Sequence, residues 1–281
     1  MEQSSQLRNL SCSRVVGIRV DATSYDDASR RIIEWSRARE SRYVCVAAVN
    51  NVMEAHDHRD FRHIMEAADL VTPDGMPLVW CLRTLCNSGA TRVYGPDLTR
   101  RLLTEAERNH LPIGLYGGSE KALEGLQRFI ALAVPRARVV YACAPPFRPL
   151  TPEEDNRITS EIINSGVALL FVGLSTPKQE RWMAAHRGKV PCTMIGVGAA
   201  FDFLSGHKPQ APRWMMQSGL EWLFRLITEP RRLWRRYLTQ NPRFLALLAG
   251  EAVERLVLTV RNLNVHQPNG EASMRHRREG R

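Results

Sequence analysis

The sequence predicts an α/β protein, a mainly parallel sheet with helices on both faces, followed by a basic helical appendage. Three observations carry this expectation. Short uncharged runs alternate with longer segments whose apolar residues recur at helical spacing, the pattern of buried strands and amphipathic helices. The connections between them are short and rich in Gly, Pro, Asp and Asn, which favours parallel neighbours and helices packed over both faces. From Trp214 the texture changes to Trp and Leu interleaved with Arg. The expected organisation is a loose tail over 1–13, an α/β domain over 14–204, an amphipathic appendage over 205–265 and a polar basic tail over 266–281.

Met1 to Ser13 is polar and lacks the apolar stretch of a secretory signal. Arg14 to Val20 alternates as one strand, and Ser24 to Arg39 sets Ala28, Ile32, Ile33 and Trp35 at helical spacing. Tyr43 to Val49 is an uncharged strand ending in Asn50-Asn51. Asn50 can contact a ligand from that strand end, or serve as an Asx turn or cap. His56, His58 and His63 lie among Asp57, Arg59, Asp60 and Arg62, which reads as a solvated inter-helix loop in preference to a metal site.

Asp69-Leu70-Val71 reads as a short strand, Thr72-Pro73 ends it, and Met76 to Leu85 has the spacing of the next helix. Asp74 therefore falls at a strand-to-helix junction, where an open α/β sheet binds its ligands. Pro-Asp-Gly also suits a plain turn or a helix cap. Tyr94-Gly95-Pro96-Asp97 repeats the pattern of a carboxylate at a helix start. The strand over 112–116 runs into Gly117-Gly118-Ser119 and a helix, whose free N–H groups can hold a phosphate, although a glycine pair also makes a tight turn. A strand over 138–142 and a helix opened by Thr151-Pro152-Glu153-Glu154 come next. Val167 to Gly173, the most apolar strand, delivers Ser175, Thr176, Lys178 and Gln179 to its end, a set of groups suited to a phosphate or nucleotide. The last strand, over 191–196, leads to Gly198 and Asp202.

Several classes are disfavoured. No GxGxxG follows the first strand and no GxxxxGK[ST] occurs, so neither a dinucleotide fingerprint nor a P-loop is present. No Asp-x-Asp pair is available to grip a metal-bound pyrophosphate, and no cofactor is expected. Six cysteines without CxxC spacing suit reduced, packed thiols. No apolar run approaches the roughly 20 residues that span a bilayer, and a cytoplasmic location is expected. Residues 205–281 hold 14 Lys and Arg against 6 Glu and no Asp, which is +8 of the net +10. Arg213, Arg225, Arg231, Arg232, Arg235 and Arg236 alternate there with Trp214, Trp222, Trp234 and leucines, in short helices expected to break at Pro230 and Pro242. Such helices suit an anionic membrane surface, or a subdomain whose Trp residues pack inward while its arginines are solvated. A nucleic-acid-binding protein is the alternative that the basicity suggests, with no reading motif to support it. A homo-oligomer is left open.

Five blocks in this order resemble the WecG/TagA/CpsF family of bacterial glycosyltransferases: Ala68 to Gly75, Tyr94 to Asp97, Gly173 to Glu180, Gly196 to Asp202, and Gly219 to Leu226 with Glu229 to Arg232. The resemblance covers most of the chain between Tyr43 and Phe244. It implies a Rossmann-like fold and metal-independent, inverting transfer from a UDP-sugar to a polyprenyl-pyrophosphate-linked acceptor, at the inner face of the cytoplasmic membrane. It also implies Asp74 as the general base; Asn50, Thr72, Tyr94, Asp97, Gly117, Gly118, Ser175, Thr176, Lys178, Gln179, Gly198 and Asp202 are expected around the substrates. The appendage arginines would then meet acceptor and membrane. Two positions depart from the family: Ala48 stands where it has Thr, and Gln210 where many members have Arg before Ala-Pro.

Overall fold

The computed structural model describes residues 12–86 and 89–265; the expected tails up to residue 11 and from residue 266 lie outside the described residues. The chain opens with β1 (Cys12–Val15) and β2 (Ile18–Asp21), an antiparallel hairpin where one strand is expected over 14–20. Val16 and Gly17 form its two-residue turn, both at positive φ (53° and 71°), as the right-handed twist of a tight hairpin requires. A β-branched residue there gives no recognisable turn signal. The hairpin also shields a sheet edge, because the buried Asp21 carboxylate accepts the Val71 N–H at 2.8 Å.

The body then alternates: α1 (Tyr25–Arg37), β3 (Arg42–Ala47), α2 (Val49–Asp57), α3 (Arg59–Ala67), β4 (Leu70–Pro73), α4 (Met76–Cys86), α5 (Gly95–Arg108), β5 (Pro112–Gly117), α6 (Glu120–Ala133), β6 (Arg138–Cys143), α7 (Pro152–Ser165), β7 (Leu169–Gly173), α8 (Lys178–His186), β8 (Thr193–Gly196) and α9 (Ala200–Leu204). The six strands β3 to β8 form one parallel sheet in the order β4-β3-β8-β7-β5-β6, a Rossmann-like architecture. Local signals fix the helix ends. Ser24 and Ser119 cap α1 and α6 through their side chains, and Thr151 with Glu154 forms a capping box on α7, which stops at Gly166 in the left-handed region.

Both sheet faces are buried, so the strands read as continuous apolar runs. Leu169 and Phe171 of β7 turn to one face, where Ile32, Leu98, Leu102, Leu126 and Phe201 of α1, α5, α6 and α9 meet them. Leu170 and Val172 turn to the other, against Met53, Phe61, Ile158 and Met183 of α2, α3, α7 and α8. Each such side chain, taken fully out of water, contributes about 1.5–3 kcal/mol. Because every strand of this sheet points the same way, all its carboxyl ends open on one edge.

The appendage consists of α10 (Arg213–Gln217), α11 (Glu221–Thr228) and α12 (Pro230–Val265). Pro230 begins α12, where its missing N–H costs nothing, but Pro242 does not break it. Both halves are pinned: Leu233 and Phe244 are buried, Arg243 forms a two-bond ion pair with Asp57 of α2 at 2.7 and 2.9 Å, and Glu251 accepts the Val16 N–H at 2.9 Å. These contacts offset the one helical hydrogen bond that proline removes. They also hold α12 across the carboxyl edge of the sheet.

Candidate active site

Four adjacent strand ends supply the floor of a polar cleft. From β4 comes Asp74, from β3 Ala48, Asn50 and Asn51, from β8 Val197 to Ala200 and Asp202, and from β7 Ser175, Thr176 and Gln179. Tyr94, Gly95 and Pro96 at the start of α5 form one wall. The appendage closes the opposite side with Lys208, Glu221, Arg225, Arg232 and Arg236.

Asp74 is held by its own main chain. Its N–H donates to Ala47 O at 2.8 Å, and its Oδ1 accepts from Gly95 N at 3.3 Å. The Arg92 guanidinium stands 3.6 Å from Oδ1, donates through Nε to Asp74 O and through Nη2 to Glu221, and reaches Met216 O at 3.3 Å. It lies over the Tyr94 ring, 4.4 Å from the centroid. Arg92 thus ties α10 and α11 to the strand end that bears Asp74. Removal from water raises the Asp74 pKa to about 6; Arg92 and Arg225 work against this rise and the Glu221 carboxylate adds to it. A carboxyl at that value is ionised at neutral pH yet basic enough to take a proton, the property a general base needs.

Behind the cleft lies a buried polar knot. Glu180 Oε1 accepts from Asn51 Nδ2, Thr176 Oγ1 and Gln179 Nε2, each at 2.9 Å, while Gln179 Oε1 accepts the Gly198 N–H at 3.0 Å. Asn51 Oδ1 accepts the Ala48 N–H at 3.1 Å, the N3 half of a capping box whose other half an alanine at the N-cap cannot supply. Burial raises the Glu180 pKa. The knot fastens the ends of β3, β7 and β8 to one another. It occupies side-chain groups of Thr176 and Gln179 that the sequence offers to a ligand.

The appendage arginines divide by direction. Arg225, Arg232 and Arg236 face the cleft; Arg213, Arg231 and Arg235 are exposed outside it. Arg225 lies over the Phe203 ring at 5.5 Å, and Arg236 over Tyr237 at 5.4 Å. The Nε atoms of Arg225 and Arg236 are buried without a hydrogen-bond partner. Burial, with the added repulsion of Arg225 and Arg232, lowers the Arg236 pKa. On the same side, Lys208 pairs with Asp202 at 2.9 Å and with Glu229 at 3.4 Å, and Glu229 also holds Arg232 at 2.6 Å. Crowded, partly desolvated guanidinium groups of this kind are suited to a phosphate or diphosphate.

The structure therefore brings Asn50, Asp74, Tyr94, Ser175, Thr176, Gln179, Gly198, Asp202, Arg225, Arg232 and Arg236 to one cleft. Thr72 is fully buried beneath it. Lys178 is exposed and outside the lining, and Asp97 stands in the first turn of α5 with Arg213 at 3.5 Å. Gly117 and Gly118 pack against the neighbouring loop and helix: a Cβ on Gly117 would come within 2.6 Å of the Gly173 backbone, and one on Gly118 within 3.3 Å of Phe201. Close approach accounts for that glycine pair. Asn51, Arg92, Glu180 and Glu221 join the site without being expected there; Glu180 and Glu221 stand within the blocks that resemble the family, whereas Asn51 and Arg92 lie outside them. The Glu221 partner, Arg92, is 129 residues away in the chain.

A second, apolar cavity of about 440 Å³ adjoins the cleft between α4 and the appendage. The two share Ala48, Asn50, Asp74, Glu221, Arg225 and Arg236.

This geometry agrees with what the chain is similar to. Over 182 residues it is 29% identical to the N-acetylglucosaminyldiphosphoundecaprenol N-acetyl-beta-D-mannosaminyltransferase of Bacillus subtilis (strain 168), a match covering 64% of this chain and 69% of that protein. Residues 13–257, from the opening hairpin into the second half of α12, match the Glycosyl transferase WecG/TagA/CpsF family, and the chain belongs to that family.

Proposed function

We propose that this glycosyltransferase moves a sugar from a UDP-sugar to a saccharide linked through diphosphate to a polyprenol, with Asp74 as general base. The observation that carries the reading is the position of Asp74, on the boundary between a polar cleft walled by arginines and an apolar cavity. The name of the Bacillus relative, which specifies an N-acetylglucosaminyldiphosphoundecaprenol acceptor, supports the same acceptor class.

In this mechanism an acceptor hydroxyl attacks the anomeric carbon, the bond from that carbon to the UDP oxygen breaks, and the hydroxyl proton passes to Asp74. A single displacement of this kind inverts the anomeric centre. Charge developing on the departing diphosphate is met by Arg225, Arg232 and Arg236, with the Gly198 loop and Ser175 on the nucleotide side. Exposed Trp214, Ile227 and Trp234, with Arg213, Arg231 and Arg235 beside them, face an anionic bilayer at the inner face of the cytoplasmic membrane. No described helix is long and apolar enough to cross a membrane. The product would be a lipid-linked precursor of a surface or secreted polysaccharide.

The test is UDP release by purified protein against a panel of UDP-sugars, with a short polyprenyl-diphosphate-linked N-acetylglucosamine as acceptor, with and without EDTA. Release that requires the acceptor and survives EDTA is expected, and the active donor names the sugar. Folded protein that releases no UDP with any donor contradicts the reading.

A further inference from the structure

The cavity beside Asp74 has a chemistry that the sugar-transfer step does not use. Its walls are Met76, Pro77 and Trp80 of α4 and, across from them, Trp222, Leu238 and Leu245 of the appendage. Gly219 makes this wall possible. It sits at φ +72°, and a Cβ there would come within 2.5 Å of the Trp80 ring, so the indole lies directly on the α10–α11 backbone. Leu238 and Leu245 remain 62% and 64% exposed on the cavity wall. Arg225 and Arg236, whose Nε atoms have no acceptor, and Asp74 line both this cavity and the polar cleft.

We propose that this cavity is the binding site for the first isoprene units of the acceptor, with the diphosphate at Arg225 and Arg236 and the sugar at Asp74. The lining offers each part of such a ligand a partner: the carboxylate for the hydroxyl, two guanidinium groups whose Nε atoms have no acceptor for the diphosphate, and Trp80, Leu238 and Leu245 for the hydrocarbon. A volume of about 440 Å³ holds roughly two to three isoprene units at the packing density of a protein interior. The remaining chain is left to the bilayer. The proposal rests on the acceptor class stated above and adds that the protein itself, and not only the membrane, recognises the lipid.

The experiment compares two soluble acceptors with the full chain in the absence of vesicles and detergent: N-acetylglucosaminyl diphosphate carrying a farnesyl group, and the same head group carrying a methyl group. Acceptor-dependent UDP release is expected to show a KM for the farnesyl compound lower by at least about 100-fold, as burial of several CH2 equivalents implies. Leu238→Asp and Leu245→Asp, both at exposed helix positions, compress this ratio toward one. Leu245→Trp, which fills the cavity without adding charge, does the same, and thermal melts establish that each variant is folded. Equal KM values for the two acceptors in the wild type, or a ratio unchanged in all three variants, overturn the proposal and leave the transferase reading intact. An effect of the variants that emerges only when anionic vesicles are added overturns it in favour of a bilayer contact. UDP release with neither acceptor contradicts the transferase reading, and the proposal falls with it.

Discussion

Asp74→Asn lowers acceptor-dependent turnover by roughly 10² to 10⁴-fold, the contribution typical of a positioned general base, while UDP-sugar binding persists. The same substitution stabilises the fold at neutral pH. The folded pKa of about 6 lies above the ordinary value of 3.8, so ionising Asp74 costs stability as pH rises past the lower value, and the cost is complete above the higher one. Two pH units correspond to an upper bound of about 3 kcal/mol, reduced by whatever Asn loses in attraction to Arg92. Thermal melts at pH 7 and pH 4 check this: the variant gains at pH 7 and gains little at pH 4. In the wild type, kcat/KM falls below about pH 6 as the base becomes protonated. Wild-type turnover in Asp74→Asn removes Asp74 from the mechanism.

Arg225→Gln and Arg236→Gln are expected to have the next largest effect. A hydrogen bond from a charged donor contributes about 1.5–3 kcal/mol, so each change lowers kcat/KM by roughly 10- to 100-fold. Stability moves the other way or not at all, because Arg236 is destabilised as a cation by burial and by Arg225 and Arg232. Loss of activity without loss of melting temperature identifies these side chains as ligands for an anion. The outward set behaves differently: Arg231→Gln with Arg235→Gln weakens binding to anionic vesicles by roughly 30-fold, at about 1 kcal/mol for each arginine near a charged surface. Vesicle binding unchanged in that double variant contradicts the membrane assignment.

The sheet was legible because both of its faces are buried, so β3, β4, β5, β7 and β8 stand out as uncharged runs with turn residues at their ends. Asp74 was legible for the same reason, since a strand end is a predictable place. What lay across the cleft was not. Arg92 and Glu221 meet only after α10 and α11 fold back over β4, and nothing local in either segment foreshadows it. Asn50 and Asn51 are neighbours in sequence and both line the cleft, but the first turn of α2 brings only the Asn51 amide into the knot around Glu180. Helical phase separates them, and phase depends on where the helix starts: at Val49, which the sequence pattern assigns to the end of the strand. Pro242 misled for a related reason. Its local cost is real, but Leu233, Phe244 and the Arg243–Asp57 pair act on both sides of it.

A single displacement assisted by one base fixes the anomeric configuration of the product. With the active UDP-sugar and a soluble polyprenyl-diphosphate-linked acceptor, the proton coupling at the new anomeric centre is read by NMR before the product is processed further. A configuration opposite to that of the donor is expected. Retention would mean a double displacement or front-face attack, for which Asp74 as sole base gives no explanation, and would contradict the single displacement.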